Sequence, residues 1–132
     1  MKRVLFVCVE NSCRSQMAEA FAGIHGKGIL VANSAGSRAS GSVNEKAINS
    51  MKEVSYDLGS HKSKSLNDIP KKEYDFAITM GCGDECPYVK AKQRQDWAIP
   101  DPKNMNEQDF NKVRNLIEEK ILSLINSINI GA

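Results

Sequence analysis

The sequence predicts a single α/β domain, residues 1–132, in which helices cover both faces of a four-stranded, mainly parallel sheet. Three observations lead to this fold class. Segments with strand character alternate with segments whose apolar residues have helical spacing. A chain of 132 residues has the usual length of one domain. No internal repeat, low-complexity tract or linker interrupts the alternation.

The first half of the chain contains two predicted strands and two predicted helices. Residues 3–8 are rich in Val, Leu and Phe, which is typical of a buried strand. Residues 15–25 place apolar side chains at helical spacing, and residues 29–34 form the second strand. A capping-box pattern at residues 42–45 opens a helix that extends to residue 54.

The second half of the chain contains the remaining two strands and a long helix. Residues 76–80 and 97–99 are the third and fourth predicted strands, and the prolines of segment 100–102 end the latter. Asn106 begins the last helix, in which apolar residues recur at helical spacing from residue 110 to residue 128.

The composition excludes several classes of protein. The net charge is only +2, whereas a dedicated nucleic-acid-binding protein usually has a strong basic excess. The apolar run of residues 4–9 is too short for a secretory signal or a membrane span. We therefore expect a cytoplasmic protein that binds neither nucleic acid nor membrane. Four cysteines in a reducing compartment indicate catalysis, redox cycling or metal binding rather than a disulfide framework.

A loop between the first strand and the first helix, residues 8–15, has a composition that suits an anion-binding thiolate site. Backbone N–H groups in such a turn attract anions, as does the N-terminus of the helix that follows. Arg14 adds a planar fork that matches two oxygens of a tetrahedral oxyanion. These positive surroundings favour the thiolate form of cysteine. The alternative is that Cys8 is a small core residue at the end of a strand.

Specific roles follow for the residues of this loop and for one residue outside it. Ser15 is expected to donate a hydrogen bond to the Cys8 sulfur, and the Asn11 amide to brace the loop. Asp101 follows the last predicted strand, so it is expected at the same sheet edge as Cys8. A carboxylic acid there would protonate the leaving oxygen, although Asp101 also fits a simple turn. The predicted oxyanion-binding residues are Cys8, Val9, Glu10, Asn11, Ser12, Cys13 and Arg14.

The segment of residues 7–19 resembles the signature of the low-molecular-weight protein tyrosine phosphatase superfamily, in particular that of its arsenate reductases. Segments 33–36, 78–80 and 97–102 also match. The resemblance implies a phosphatase-type anion-binding loop after the first strand. It makes Cys8 the nucleophile, Arg14 the oxyanion-binding arginine, Ser15 the residue that steadies the thiolate and Asp101 the general acid.

Two further cysteines, Cys82 and Cys86, distinguish between two reactions of that superfamily. A phosphatase needs one cysteine, whereas reduction of arsenate needs two electrons and hence a second thiol. The resemblance implies that Cys82 attacks the first sulfur and that Cys86 completes an exposed disulfide. Only three residues separate the pair, fewer than in related reductases, so the order of the relay stays open. The alternatives are half of a zinc site or two unpaired loop thiols of a phosphatase.

Two positions depart from the superfamily pattern. Glu10 stands where glycine is common, and its carboxylate should repel an anion unless it points outward. Some related reductases bind potassium through residues that match Asn11, Glu19 and Ser34, but their remaining acidic ligand aligns with Lys64 here. We therefore expect no bound metal. Glu19 is expected to pair with Lys64, and the alternative is that Lys64 is a solvated loop residue. For Cys13 we favour a packed small residue over a role in catalysis.

The predicted function is arsenate reduction by Cys8, Cys82 and Cys86 in a monomer that binds no cofactor and depends on an external thiol reductant such as thioredoxin. Weak aryl-phosphate hydrolysis is expected in addition. The main alternative is a tyrosine phosphatase that uses Cys8, Arg14 and Asp101. The absence of a tyrosine after Asp101-Pro102 weakens that alternative, since such enzymes often hold a phenyl ring there. A protein that only senses or sequesters oxyanions is the non-enzymatic possibility.

Overall fold

Four parallel strands form one sheet in the order β2-β1-β3-β4 in the computed structural model, which describes residues 1–70, 72–81 and 89–131. The strands are β1 (Lys2–Cys8), β2 (Leu30–Gly36), β3 (Tyr74–Thr79) and β4 (Ala91–Asp96). In the middle of the sheet, Val7 of β1 lies opposite Ala35 of β2 and Thr79 of β3. The prediction of an α/β domain built on a parallel sheet is confirmed.

The three α-helices are α1 (Arg14–His25), α2 (Glu45–Lys52) and α3 (Glu107–Gly131). They share the larger apolar core with one face of β1, which contributes the fully buried Val4 and Phe6. The opposite face of β1 contributes Leu5 and Val7 to a smaller core, which the 3-10 turn Leu66–Asp68 helps to cover. Among the described residues the three α-helices thus share one face of the sheet, and only a 3-10 turn lies on the other, where α-helices were also predicted. Burial on both faces explains the continuous apolar run of β1.

The fourth strand was predicted at residues 97–99 but lies at Ala91–Asp96. It pairs with β3 on one side, and five of its six residues are exposed. A polar edge strand has no run or alternation of apolar residues, so its residue pattern does not predict a strand there. The apolar Trp97 and Ile99 are buried just beyond it, and the Trp97 ring packs against Phe6 at a centroid distance of 5.8 Å.

Helix α2 begins two residues later in the capping sequence than predicted. Asn44, not Ser42, is the N-cap, and its side chain accepts a hydrogen bond from the Lys46 N–H at 2.8 Å. The helix ends at Lys52 rather than at residue 54. Both Ser and Asn are good N-caps, so residue type alone does not separate them. Within the described residues, no helix combines the length and hydropathy of a membrane span.

Candidate active site

The carboxyl ends of β1, β3 and β4 meet at one edge of the sheet, and a cleft of ≈ 440 Å³ opens there. Cys8 ends β1, Gly81 lies two residues beyond β3, and Asp101 lies five residues beyond β4. The structure thus brings Cys8, Arg14 and Asp101 together, as the strand order predicts. The cleft is lined by Cys8, Val9, Glu10, Cys13, Arg14, Gly81, Ile99, Pro100, Asp101 and Lys103.

The backbone of the loop that follows Cys8 directs its carbonyl groups away from the cleft. The carbonyl of Val9 accepts a hydrogen bond from the backbone N–H of Arg38 at 2.8 Å. The carbonyls of Glu10 and Ser12 accept hydrogen bonds from the backbone N–H groups of residues 40 and 44, at 3.0 and 2.9 Å. Asn11 has a φ of 51°, which curls the chain. No described residue accepts a hydrogen bond from the N–H groups of residues 9–13. These donors are therefore available to an anion.

The sulfur of Cys8 lies at the base of this loop and is almost fully buried. It is 2.8 Å from the Ser15 hydroxyl oxygen. The Asn11 side-chain amide donates to that same oxygen at 2.8 Å, and when Cys8 is a thiolate the Ser15 hydroxyl is the donor to the sulfur. Helix α1 begins at this point without a side-chain cap and without an acidic residue in its first turn. Its N-terminus therefore adds positive potential that favours a thiolate and a bound anion.

Cys13, the second cysteine of the loop, is buried and differs from Cys8 in its surroundings. Burial, together with the nearby Asp101 carboxylate, raises the pKa of its thiol to about 12. Cys13 therefore stays a neutral thiol at physiological pH, and a neutral thiol is a weak nucleophile. This agrees with the interpretation of Cys13 as a packed small residue.

Arg14 is buried and oriented by two backbone carbonyls. Its Nη1 atom donates to the carbonyl of Met80, and to that of Ile99 at 3.2 Å. Its Nη2 atom lies 3.9 Å from Asp101 Oδ2. The Nε and Nη2 groups donate to no described hydrogen-bond acceptor, so this edge of the guanidinium is free to take two oxygens of an oxyanion. Sequence reasoning found Arg14 but not the two carbonyls that hold it, which lie far away in the chain.

Asp101 lies at the mouth of the cleft with an exposed side chain. Its Oδ1 atom accepts a hydrogen bond from the Lys103 N–H at 3.1 Å, while Oδ2 faces Arg14. The Lys103 ammonium is 3.0 Å from one carboxylate oxygen of Glu10 and 3.2 Å from the other. Glu10 is therefore neutralised by a lysine that the sequence analysis did not single out.

The amide of Asn11 is fixed from behind the loop. Its Oδ1 atom accepts from the Gln16 side chain at 2.8 Å and from the Lys64 backbone N–H at 2.6 Å. Gln16 is fully buried and also donates to the Lys62 carbonyl at 2.8 Å. These bonds leave the Asn11 amide nitrogen directed at Ser15, so Asn11 braces the loop as predicted.

A cluster of polar side chains surrounds Glu19 behind this brace. Ser34 donates to Glu19 Oε1 at 2.8 Å, and the Lys64 ammonium lies 3.4 Å from the same oxygen. His61 lies 3.3 Å from the other carboxylate oxygen, and burial lowers its pKa. The expected pairing of Glu19 with Lys64 is present. These residues do not fit a bound potassium ion, because the ammonium lies against Glu19 and two N–H donors already occupy the Asn11 oxygen.

Two glycines allow the backbone segments of the site to approach one another. A Cβ atom on Gly36 would lie 2.5 Å from the Val9 carbonyl oxygen and 2.9 Å from the Asn11 nitrogen. Gly81 has a φ of +84°, and a Cβ there would lie 2.9 Å from the Ile99 carbonyl oxygen. Any larger residue at either position would displace the anion loop or the chain beside Arg14.

The predicted relay cysteines, Cys82 and Cys86, lie outside the described residues. The chain that leads to them is fixed to the end of β4. Asp96 Oδ1 accepts from the Thr79 hydroxyl at 2.6 Å and from the Gly81 N–H at 3.2 Å. Together with the Arg14 bond to Met80, this ties the chain just before Cys82 to the oxyanion cleft.

Comparison with known proteins agrees with the geometry. The chain is 37% identical over 132 residues to a glutaredoxin arsenate reductase from Synechocystis sp., covering 98% of this chain and 100% of that protein. A solved structure of an arsenate reductase in the phosphate binding state superposes with a TM-score of 0.87 at 37% identity, covering 97% of this chain and 99% of that one.

A thioredoxin-dependent arsenate reductase from Corynebacterium glutamicum superposes with a TM-score of 0.79 at 27% identity, covering 100% of this chain and 64% of that one. The family model described as low molecular weight phosphotyrosine protein phosphatase matches residues 3–131. The resemblance found in residues 7–19 is therefore confirmed over nearly the whole chain, and this protein belongs to the low molecular weight phosphotyrosine protein phosphatase family.

Proposed function

We propose that this protein is an arsenate reductase, in which the Cys8 thiolate attacks arsenate held by the anion loop. The observation that carries the proposal is the position of the Cys8 sulfur, 2.8 Å from the Ser15 hydroxyl, in a cleft lined by Arg14 and Asp101. The names of the relatives at 37% identity support arsenate as the oxyanion. A phosphate-bound relative supports binding of a tetrahedral oxyanion in this cleft.

The first step joins sulfur to arsenic. The Cys8 thiolate forms the S–As bond, and one arsenate oxygen leaves as water after it receives a proton from Asp101. The free edge of the Arg14 guanidinium and the N–H groups of residues 9–13 stabilise the charge on the remaining oxygens. The arsenic is still in the +5 state in this thiol adduct, so reduction needs a further thiol.

The next steps move two electrons to arsenic. The Cys82 thiolate attacks the Cys8 sulfur, the S–As bond breaks, and its electron pair stays on arsenic, which leaves as arsenite. Cys86 then attacks Cys82, which restores Cys8 as a thiolate and leaves a Cys82–Cys86 disulfide. A reduced external dithiol converts this disulfide back to thiols. The names of two relatives support glutaredoxin or thioredoxin for that role, and the supply of reduced thiols supports a cytoplasmic location.

A set of cysteine variants tests the proposal with two readouts on the same protein. Cys8→Ser should lose both arsenate-dependent oxidation of reduced thioredoxin or glutaredoxin and hydrolysis of p-nitrophenyl phosphate. Cys82→Ser should lose the arsenate reaction and keep the hydrolysis, because only the first needs a second thiol. Full arsenate turnover in both Cys82→Ser and Cys86→Ser would contradict the relay.

Phosphatase activity is the second candidate function, since the family carries that name and the cleft serves any tetrahedral oxyanion. In that reaction Cys8 forms a phosphocysteine that water hydrolyses. We propose it as a residual activity. A phosphatase without reductase activity would hydrolyse aryl phosphates efficiently and consume no thiol in the presence of arsenate.

A further inference from the structure

Glu10 and Lys103 form an ion pair that crosses the mouth of the oxyanion cleft. Glu10 lies in the anion loop, two residues after Cys8, and Lys103 lies two residues after Asp101. The ammonium contacts both carboxylate oxygens of Glu10, at 3.0 and 3.2 Å. The two side chains are about half exposed, at 48% for Lys103 and 38% for Glu10. We call this pair the Glu10–Lys103 bridge.

The bridge lies on the side of the cleft where the leaving group must depart. In an in-line displacement the leaving oxygen is opposite the attacking Cys8 sulfur, and Asp101 is the acid that protonates it. The Lys103 N–H donates to Asp101 Oδ1 at 3.1 Å, so the lysine side chain starts beside that acid and extends to Glu10. Glu10 and Lys103 line the same cleft as Cys8 and Asp101, so an organic group on the leaving oxygen would have to pass the bridge, whereas a bare oxygen would not.

The bridge also removes an electrostatic conflict. A free carboxylate at Glu10 would repel an arriving anion, and the bound ammonium cancels that charge. An exposed lysine is charged over the physiological range, and Glu10 raises the pKa of Lys103 above its ordinary value. The ion pair therefore narrows the mouth of the cleft and leaves the positive potential of the helix N-terminus and of Arg14 unopposed by Glu10.

We propose that the Glu10–Lys103 bridge is a specificity determinant that admits inorganic tetrahedral oxyanions and disfavours organic phosphate monoesters. This deepens the proposed function, on which it rests, by naming the substrate class of the same cleft. The two residues contribute selectivity through their joint position across the mouth of the cleft, not through contact with the reacting atoms.

A double-mutant cycle tests the bridge and distinguishes its steric effect on substrates from the effect of its charges. The variants are Glu10→Gln, Lys103→Met and the double variant, with Lys112→Met as matched control, since Lys112 pairs with Asp109 on the exposed surface of α3. Two quantities are measured: kcat/KM for p-nitrophenyl phosphate, and Ki of inorganic phosphate as competitive inhibitor. Thermal unfolding of each variant shows that the fold is kept.

We expect kcat/KM for the aryl ester to rise about tenfold in all three cleft variants, the size of a modest steric discrimination. The Ki for inorganic phosphate should move in opposite directions in the two single variants: lower for Glu10→Gln, higher for Lys103→Met. The Lys112→Met control should match the wild type in both quantities.

The proposal is overturned if no cleft variant gains aryl-ester hydrolysis. It is also overturned if kcat/KM for the aryl ester depends only on the charge at the mouth of the cleft. In that case kcat/KM would rise in Glu10→Gln, fall in Lys103→Met and equal the wild-type value in the double variant. Both quantities require only Cys8, Arg14 and Asp101. If arsenate turnover fails, the proposed function is refuted, but these two quantities can still be measured and interpreted. If the bridge variants instead show no gain, the specificity proposal fails and the arsenate reductase proposal is unaffected.

Discussion

The side-chain amide of Asn11 donates a hydrogen bond to the Ser15 hydroxyl at 2.8 Å. Because Gln16 and the Lys64 backbone hold the Asn11 oxygen, the amide nitrogen has one orientation and keeps the Ser15 oxygen 2.8 Å from the Cys8 sulfur, where the hydroxyl donates to a thiolate. The thiolate is thus stabilised by a hydroxyl whose oxygen is held in place from behind the loop. Charge-assisted hydrogen bonds of this kind are about twice as strong as neutral ones.

Replacement of Ser15 by alanine should slow the attack by Cys8. Loss of a hydrogen bond to a charged group costs about 1.5–3 kcal/mol, so we expect a fall in kcat of about tenfold or more. The rate of Cys8 alkylation by iodoacetamide at neutral pH should fall in parallel. Ser127→Ala is the matched control, since its hydroxyl donates to the Leu124 carbonyl within α3. An unchanged kcat in Ser15→Ala would show that the hydroxyl does not support the thiolate.

Replacement of Gly36 by alanine should displace the anion loop, because the added Cβ would lie 2.5 Å from the Val9 carbonyl oxygen. Overpacking of this kind costs about 1–3 kcal/mol of stability. Inorganic phosphate should also bind more weakly, by about tenfold or more, as the N–H donors lose their alignment. Urea unfolding and phosphate titration measure the two effects.

Gly23 offers the matched glycine control, since it lies in α1 and a Cβ there meets nothing within 4 Å. Gly23→Ala should leave phosphate binding unchanged and raise stability by about 0.5–1 kcal/mol, the helix propensity difference. Equal effects of the two substitutions on phosphate binding would contradict the role assigned to Gly36.

Lys64 should supply the positive charge beside Glu19 at the place where the resemblance to arsenate reductases implies a potassium ion. Turnover and thermal stability of the wild type should therefore be the same in potassium, sodium and choline salts. Lys64→Met leaves the Glu19 carboxylate, 19% exposed, without its ammonium, and we expect a loss of about 1–3 kcal/mol in urea unfolding. A potassium-dependent rise in wild-type stability, absent in sodium, would contradict this assignment.

His61 should make stability depend on pH. Burial lowers its pKa from 6.5, although Glu19 acts in the opposite direction. Below about pH 6.5 the unfolded chain therefore binds a proton that the folded chain resists, so the free energy of unfolding falls as pH falls and is flat above that value. Urea unfolding from about pH 7.5 to about pH 5.5 measures the slope. His61→Gln should flatten it, and an equal slope in the variant would contradict the assignment.

The sequence predicts the centre of the site better than its surroundings. Residues 3–25 combine a continuous apolar strand, a turn and a helix with local spacing, so β1, the anion loop and α1 are found where they are expected. The position of Asp101 follows from parallel strands ending at one edge, even though the strand before it was assigned to the wrong residues.

The missed features depend on contacts between distant residues. Lys103 contacts Glu10 across a separation of 93 residues, and Arg14 contacts the Ile99 carbonyl across 85. No local pattern encodes such pairs. Strand β4 also lacks a recognisable sequence pattern, because an edge strand with exposed Lys, Gln and Arg side chains has the composition of a loop.

A single turnover without external reductant shows whether Cys8 reduces arsenate with electrons from this chain's own thiols. Fully reduced enzyme is mixed with excess arsenate, and arsenite and free thiols are counted. The proposed function predicts one arsenite for each chain, the loss of two thiols, and a disulfide between Cys82 and Cys86 by mass spectrometry. Arsenate bound in the cleft with no arsenite released and all four thiols retained would contradict it.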